Sequence, residues 1–150
     1  MNSPDTSFMP LSFCSNFLFV PGTRPERFAK ALDSGAGGVI IDLEDAVAPE
    51  DKETARSAIR SAWLSFTNDQ KKRLVIRSNA PGSQFYAADL ILAQELNVAC
   101  LLIPKSESAD QINGAAQVLA NTALIPMIET AIGLDHIHDI GLAWLDYVLQ

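Results

Sequence analysis

Short apolar runs alternate with amphipathic stretches along the whole chain. The runs are FLFV (17–20), GVIIDL (38–43), RLVIR (73–77), ACLLIP (99–104), ALIPMIE (123–129) and LDYVL (145–149). Their length and their enrichment in β-branched residues are typical of strands that are buried on both faces of a sheet. The pattern therefore predicts six strands, which begin near residues 17, 38, 73, 99, 123 and 145.

The stretches between the runs have helical periodicity. Ala55, Ile59 and Trp63 lie on one apolar stripe at helical spacing, and Ile112 and Ala115 begin another. A strict alternation of strands and helices predicts a parallel sheet.

Three boundary signals accompany the helices. Thr23 and Glu26 have the spacing of a capping box, with Pro25 in the first turn. Gly35 stands where a C-terminal glycine belongs. Ser106 is predicted to be the N-cap of the helix that contains Ile112.

Two folds are compatible with this alternation. One is an open, doubly wound sheet. The other is a (β/α)8 barrel, which needs about 200 residues or more. The chain has 150 residues, so on the barrel hypothesis it lacks about two of the eight units. Residues 1–12 contain Pro4 and Pro10 and little periodicity, so they are predicted to form a loose N-terminal tail.

Composition narrows the class of protein. Hydrophobic residues make up 48% of the chain and charged residues 19%, which excludes a disordered chain. Eleven basic and 18 acidic residues give a net charge of −7, which argues against a nucleic-acid binder. No apolar run is long enough for a membrane span, and no basic residue precedes Val20 as a leader would require. Cys14 and Cys100 are far apart, which favours free thiols and a cytoplasmic location.

Charged residues follow the predicted strands at the edge where parallel α/β folds collect their function. The candidates are Arg24 after the first strand, Glu44 and Asp45 after the second, Arg77 at the end of the third, Lys105 after the fourth and Glu129 after the fifth.

Several of these residues also have a purely structural interpretation. Arg24 fits a solvated first turn, and Lys105 fits a solvated loop. Glu44 and Asp45 fit an acid pair at a helix N-terminus. Arg77 fits an ion pair with one of those acids.

Glu129 is harder to explain structurally. It follows an apolar run, and a buried carboxylate costs several kcal/mol unless it is paired or bound to a metal. Asp135, His136, His138 and Asp139 resemble metal ligands in composition. His136 and His138 are two residues apart on a predicted helix and point to different faces, so we interpret this group as surface or packing residues.

Five segments, in their order and spacing, resemble the citrate lyase beta-subunit-like group of the HpcH/HpaI aldolase superfamily. They are LFVPGTRPERFAKAL, GAGGVIIDLEDAVAPEDKETAR, VIRSN, LLIPKSES and PMIETAIGL, and the resemblance covers roughly residues 17–149. It implies a TIM (β/α)8-type barrel, here truncated to about six βα units, with residues 13–150 as the N-terminal three-quarters of one barrel domain. It also implies Mg2+ and the cleavage or formation of a C–C bond in a citryl, malyl or citramalyl thioester of CoA or an acyl carrier.

The resemblance assigns roles to individual residues. Glu129 would be a Mg2+ ligand and contact the substrate, and Arg77 would bind substrate and act in catalysis. Glu44 and Asp45 would be catalytic residues beside the metal, holding its waters or Arg77. Arg24 would help to hold the CoA end. The second Mg2+ ligand of the family, an aspartate, would lie beyond Gln150, so the 150-residue chain is expected to be a poor catalyst.

The chemistry of these residue types fits retro-Claisen cleavage. Mg2+ can act as a Lewis acid toward keto and carboxylate oxygens, and an arginine fork can bind a carboxylate or stabilise an enolate. The general base is left unassigned. A malyl-type thioesterase and a non-catalytic fragment that acts only by association remain alternatives. The expected partner is a small-molecule thioester, with no nucleic acid and no membrane. Open strand edges also predict a homo-oligomer.

Overall fold

Five parallel strands form one sheet in the computed structural model, which describes residues 16–148. They are β1 (Phe17–Pro21), β2 (Gly38–Asp42), β3 (Leu74–Arg77), β4 (Cys100–Ile103) and β5 (Ala123–Pro126). The helices are α1 (Phe28–Leu32), α2 (Lys52–Trp63), α3 (Asn68–Lys71), α4 (Tyr86–Glu95), α5 (Ala109–Val118), α6 (Ala131–Asp135) and α7 (Ile137–Val148). Two short 3-10 helices, Pro25–Arg27 and Pro49–Asp51, precede α1 and α2.

The order of the strands decides between the two predicted folds. Each strand pairs with the next one along the chain, in the order β1-β2-β3-β4-β5. A doubly wound sheet reverses its strand order at a switch point, whereas a barrel adds each strand beside the previous one. The predicted barrel class is therefore confirmed. The predicted tail at residues 1–12 lies outside the described residues.

The prediction of a sixth strand at residues 145–149 is wrong. Residues 145–148 belong to α7, and residue 149 lies outside the described part of the chain. Ile140 and Ala143 are buried, and the Trp144 indole Nε1 donates to the Leu124 carbonyl oxygen at 2.7 Å. These residues, together with Tyr147, have the i, i+3, i+4, i+7 spacing of a helix face that covers β5.

The three central strands, β2 to β4, are buried on both faces, whereas the first three residues of β1 are exposed. Side chains facing the helices are fully buried, among them Ile41, Leu74, Ile76, Leu101 and Ile103. A smaller cluster covers the other face and includes Ile40, Val75, Cys100 and Leu102. Because successive side chains of a strand alternate between faces, Asp42 lies on the same face as Ile40, and Arg77 on the same face as Val75. The second face therefore ends in charged side chains at the carboxyl edge.

Two of the three predicted boundary signals are wrong. Thr23 does not cap a helix, because the 3-10 helix begins after Arg24, and Glu26 accepts a hydrogen bond from the Arg24 side chain instead. Ser108, not Ser106, is the N-cap of α5. Gly35 has a φ of +87° and follows the end of α1 at Leu32, which confirms the predicted C-terminal glycine.

Among residues 16–148, no helix combines the length and the apolar character that crossing a membrane requires.

Replacing Gly141 by alanine tests the helical assignment of α7. A Cβ added at Gly141 meets no atom within 4 Å. We therefore expect Gly141→Ala to raise the free energy of unfolding by about 0.5–1 kcal/mol, since glycine is a poor residue for a helix interior. Urea denaturation measures the change.

Two further glycines serve as controls. Gly114→Ala in α5 is equally unobstructed and should stabilise to a similar extent. Gly133→Ala in α6 should destabilise, because its Cβ would lie 2.4 Å from the Ser106 carbonyl oxygen. A gain at Gly114 without one at Gly141 would contradict the helix.

Candidate active site

A buried ion pair joins the ends of β2 and β3. Asp42 and Arg77 lie opposite each other in the register of the two strands. The Arg77 Nε donates to Asp42 Oδ1 and the Arg77 Nη2 donates to Asp42 Oδ2, both at 2.7 Å. The arginine fork is thus bound to the carboxylate through two parallel hydrogen bonds, the strongest geometry for such a pair.

Asp42 also organises the loop that follows its own strand. Its carboxylate oxygens accept the backbone N–H groups of Glu44 at 2.8 Å and Ala46 at 3.0 Å. Burial by itself raises the pKa of Asp42, but the Arg77 hydrogen bonds and these two N–H groups outweigh it and hold the pKa below the usual value. The hydrogen bond to Asp42 is also the main reason why the pKa of Arg77 is raised.

The remaining side of the Arg77 guanidinium faces the rest of the site. Its Nη1 lies 3.4 Å from Glu44 Oε2, and its Nη2 lies 4.0 Å from Asp45 Oδ2. The guanidinium carbon is 5.0 Å from the centroid of the Phe19 ring. Arg77 therefore has an aromatic and an acidic neighbour in addition to Asp42.

Glu44 is a buried carboxylate that is incompletely hydrogen-bonded. Its Oε1 accepts from the Lys105 Nζ at 2.5 Å. Its Oε2 is buried and has no hydrogen-bond partner among the described residues. Burial raises the pKa of Glu44, and the Lys105 ammonium opposes that shift only partly. This carboxylate is therefore easier to protonate than an ordinary glutamate.

Lys105 connects Glu44 to Glu129. The Lys105 backbone N–H donates to Glu129 Oε1 at 3.0 Å, while its Nζ binds Glu44. Glu129 is exposed and follows β5 by three residues, so the expectation of a buried strand-end carboxylate is wrong.

Arg24 pairs with a residue outside this cluster. Its side chain is about half exposed, and its Nε donates to Glu26 Oε1 at 2.6 Å. The solvated first-turn interpretation describes this geometry, and a role at the CoA end stays a prediction.

The acidic and histidine residues around His136 form no metal centre. The His136 Nδ1 lies 2.7 Å from the Glu107 carbonyl oxygen, which accepts a hydrogen bond from it. Within the described range, no group of three or more His, Cys, Asp or Glu side chains is arranged to hold a metal ion.

Two buried charges of α2 escaped the sequence analysis. The Lys52 Nζ donates to the carbonyl oxygens of Leu43 and Glu44, both at 2.7 Å. The Arg56 Nη1 donates to Asp89 Oδ1 at 2.9 Å. A signal was present: both residues lie on the same helix face as the apolar residue Ile59. A charged residue on a buried stripe indicates a specific partner.

Asp89 extends this support to the loop after β3. Its Oδ2 accepts from the backbone N–H and the side-chain Nδ2 of Asn79, both at 2.7 Å. Loops on both sides of Arg77 are thus held by buried polar contacts from α2 and α4.

Comparison with known proteins agrees with this architecture. The family model described as HpcH/HpaI aldolase/citrate lyase matches residues 16–145, and the chain belongs to this family. A citrate lyase subunit beta-like protein from Mycobacterium tuberculosis is 41% identical over 117 residues, which is 78% of this chain and 39% of that protein.

Two relatives from Cereibacter sphaeroides have different activities. An L-malyl-CoA/beta-methylmalyl-CoA lyase is 38% identical, over 77% of this chain and 35% of its own length. A (3S)-malyl-CoA thioesterase is 31% identical, over 78% of this chain and 41% of its own length. The chain spans about two-fifths of the length of these curated relatives.

A solved structure covers nearly the whole chain. It is that of the protein CitE from Mycobacterium tuberculosis in complex with magnesium, acetoacetate and coenzyme A. The TM-score is 0.75 at 37% identity, over 87% of this chain and 46% of that one.

Replacing Asp42 by asparagine should strongly destabilise the chain. Asp42→Asn keeps the shape but removes the charge that the Arg77 fork binds through two hydrogen bonds, and breaking a buried ion pair in this way costs about 3–5 kcal/mol. Because the pKa of Asp42 is below its usual value, the pair stabilises the fold above the unfolded-state pKa, and this contribution is lost as the pH falls through the folded-state pKa. Denaturant unfolding at neutral and acidic pH measures the difference.

Asp69→Asn is the matched control. Asp69 forms an exposed pair with Lys72, so the change should alter the free energy of unfolding by less than about 1 kcal/mol. Equal effects at Asp42 and Asp69 would show that the buried pair does not stabilise the fold.

Proposed function

We propose that the chain contributes the N-terminal part of a Mg2+-dependent carbon–carbon lyase that cleaves or forms a citryl-, malyl- or citramalyl-type thioester. One observation carries the proposal: the carboxyl edge of β2 to β5 brings a buried arginine together with a half-satisfied buried carboxylate and a solvent-facing one. Such an edge is where (β/α)8 enzymes bind their substrates.

The relatives support this substrate class. One is an L-malyl-CoA/beta-methylmalyl-CoA lyase, and the CitE structure contains magnesium, acetoacetate and coenzyme A. Acetoacetate contains a keto group and a carboxylate, the two groups that the 2-keto-acid product of retro-Claisen cleavage also contains. The substrate proposed for this chain is therefore a hydroxy-acyl thioester of CoA or of an acyl carrier.

Glu129 fits a magnesium ligand. Its carboxylate is exposed, and only Oε1 is bound to a backbone N–H. Mg2+ prefers oxygen ligands and is usually held by one or two carboxylates with several waters. When bound, the ion would supply Lewis-acid polarisation of substrate oxygens. The second carboxylate is expected beyond Gln150.

Arg77 would bind the substrate through Nη1. Its Nε and Nη2 are engaged by Asp42, which fixes the guanidinium plane before substrate arrives. Nη1 can then donate to a substrate carboxylate or to an enolate oxygen as charge develops. Preorganisation by Asp42 removes the entropic cost of orienting a long side chain at that step.

Glu44 and Asp45 would act beside Arg77. The raised pKa and the unpartnered Oε2 of Glu44 suit a group that holds a proton or a water at the site. Asp45 is largely exposed and lies 3.7 Å from the Lys105 Nζ, so it would contribute charge rather than a fixed contact. Arg24 would contact the CoA end from the loop after β1.

The proposal extends to assembly and location. Within residues 16–148, β1 and β5 each have one hydrogen-bonded strand neighbour, and Phe17 and Phe19 on β1 are exposed. An apolar edge of this kind favours association, so we infer a homo-oligomer. A cytoplasmic location rests on the thiols, of which Cys100 is free and buried.

A malyl-type thioesterase is the second candidate. It is supported by the relative named (3S)-malyl-CoA thioesterase, which is 31% identical to this chain. The same arginine and carboxylates would bind the substrate, but water would attack the thioester carbonyl.

Product analysis separates the two functions. We expect the chain, incubated with malyl-CoA and Mg2+, to turn over slowly because the second metal ligand is expected beyond Gln150. The products that form should be glyoxylate and acetyl-CoA, because the proposed role of Arg77 is to stabilise an enolate. Chromatography of the CoA species detects the products. Malate and free CoA in place of these products would identify a thioesterase.

The metal role of Glu129 has its own test. Glu129→Gln keeps the shape and removes the charge, so Mg2+ affinity should fall at least about tenfold. Titration calorimetry with Mg2+ measures the change. Glu95→Gln, which removes an exposed glutamate that pairs with Arg60, should leave affinity unchanged. Equal affinities in both variants would remove Glu129 from the metal site.

A further inference from the structure

Lys105 has a backbone conformation that lysine rarely adopts. Its φ is +48°, in the left-handed region that favours glycine. Strained residues of this kind persist only where the surrounding structure determines them, and they cluster at functional sites.

The next residue holds this conformation in place. Ser106 is fully buried, its N–H donates to the Met127 carbonyl oxygen at 3.1 Å, and its hydroxyl donates to the Ile103 carbonyl oxygen at 2.9 Å. The turn after β4 is thus attached both to its own strand and to the segment after β5.

The left-handed turn lets one residue bind two carboxylates on different loops. The Lys105 N–H binds Glu129, which follows β5, and the Nζ binds Glu44, which follows β2. The two acids are 85 residues apart in the sequence, and Lys105 donates a hydrogen bond to each of them.

Asn97 provides an internal comparison. It has nearly the same φ, 47°, but it lies in an exposed turn after α4. Asparagine tolerates this conformation because its side chain is short and polar, whereas lysine gains nothing from it locally. The backbone strain at Lys105 is therefore offset by contacts that its side chain and its N–H make across the site.

We propose that Lys105 is a positioning residue that holds Glu44 and Glu129 in a fixed relation across the carboxyl edge of the sheet. The effect of Lys105 on catalysis rests on the function proposed above. The hydrogen bonds from Lys105 to Glu44 and Glu129 are a property of the folded chain.

Removing the ammonium should change the environment of Glu44. The charged residues around that carboxylate are Lys105, Arg77, Lys52, Asp45 and Asp42. Without Lys105, Oε1 loses its donor, and the nearest cation is the Arg77 Nη1, 3.4 Å from Oε2. The pKa of Glu44, already raised by burial, should rise further.

The experiment compares four substitutions in the 150-residue chain. Lys105→Met removes the charge and keeps the bulk, Lys105→Gly also removes the backbone strain, and Lys105→Arg restores a charge. Asn97→Gly makes the same backbone change away from the site. The titration of Glu44 is followed by carboxyl-carbon NMR, with Glu44→Gln identifying its signal, and thermal melting and thioester turnover are measured in parallel.

The expected results separate positioning from a purely structural role. The Glu44 titration midpoint should rise in Lys105→Met and Lys105→Gly, return toward the original value in Lys105→Arg, and stay unchanged in Asn97→Gly. The melting temperature of Lys105→Gly should be higher than that of Lys105→Met, because methionine retains the backbone strain. The melting temperature of Asn97→Gly should be higher than that of the original chain for the same reason. Thioester turnover should fall about 10- to 100-fold in Lys105→Met and in Lys105→Gly, but not in the other two variants.

Two results have different meanings. An unchanged Glu44 midpoint in Lys105→Met would overturn the proposal, because Lys105 would then be a solvated loop residue. A shifted midpoint with malate and free CoA as the products of malyl-CoA would overturn the lyase function and support the tie between Lys105 and Glu44.

Discussion

The ion pair between Asp42 and Arg77 constrains everything at the carboxyl edge of this sheet. Both charges are buried, and removing either would leave the other uncompensated at a cost of several kcal/mol. The Asp42 carboxylate accepts four hydrogen bonds, two from Arg77 and two from the loop that follows β2. The Asp42–Arg77 pair and the loop after β2 therefore form a single hydrogen-bonded unit. This unit fixes the position of Glu44, whose N–H binds Asp42.

Two lysines also bind this hydrogen-bonded unit. Lys52 on α2 binds the carbonyl oxygens of Leu43 and Glu44, and Lys105 binds the Glu44 carboxylate. Glu44 still has one buried oxygen without a hydrogen bond among the described residues, which costs stability. This group lies at the edge where barrels bind substrate, and groups that lower stability often occur at functional sites.

Local patterns were sufficient for the first five strands, for α2 and α5 and for the parallel alternation, because these depend on residues that are neighbours in sequence. The same patterns failed where two interpretations fit one segment. LDYVL is apolar enough for a strand, but the helical stripe that begins at Ile140 continues through it. The Thr23 and Ser106 caps failed because a suitable residue and spacing do not specify which turn begins the helix.

The identity of the charged residues at the carboxyl end of each strand can be read from the order of residues along the chain. Their partners depend on how the strands and loops pack. Asp42, rather than Glu44 or Asp45, takes the Arg77 fork because the register of β2 and β3 places these two side chains opposite each other on one face. Glu129 is exposed and bound to the Lys105 N–H because of a turn and a strained backbone that no spacing encodes. Burial and pairing depend on contacts between segments that are distant in sequence, and the chain acquires those contacts only by folding.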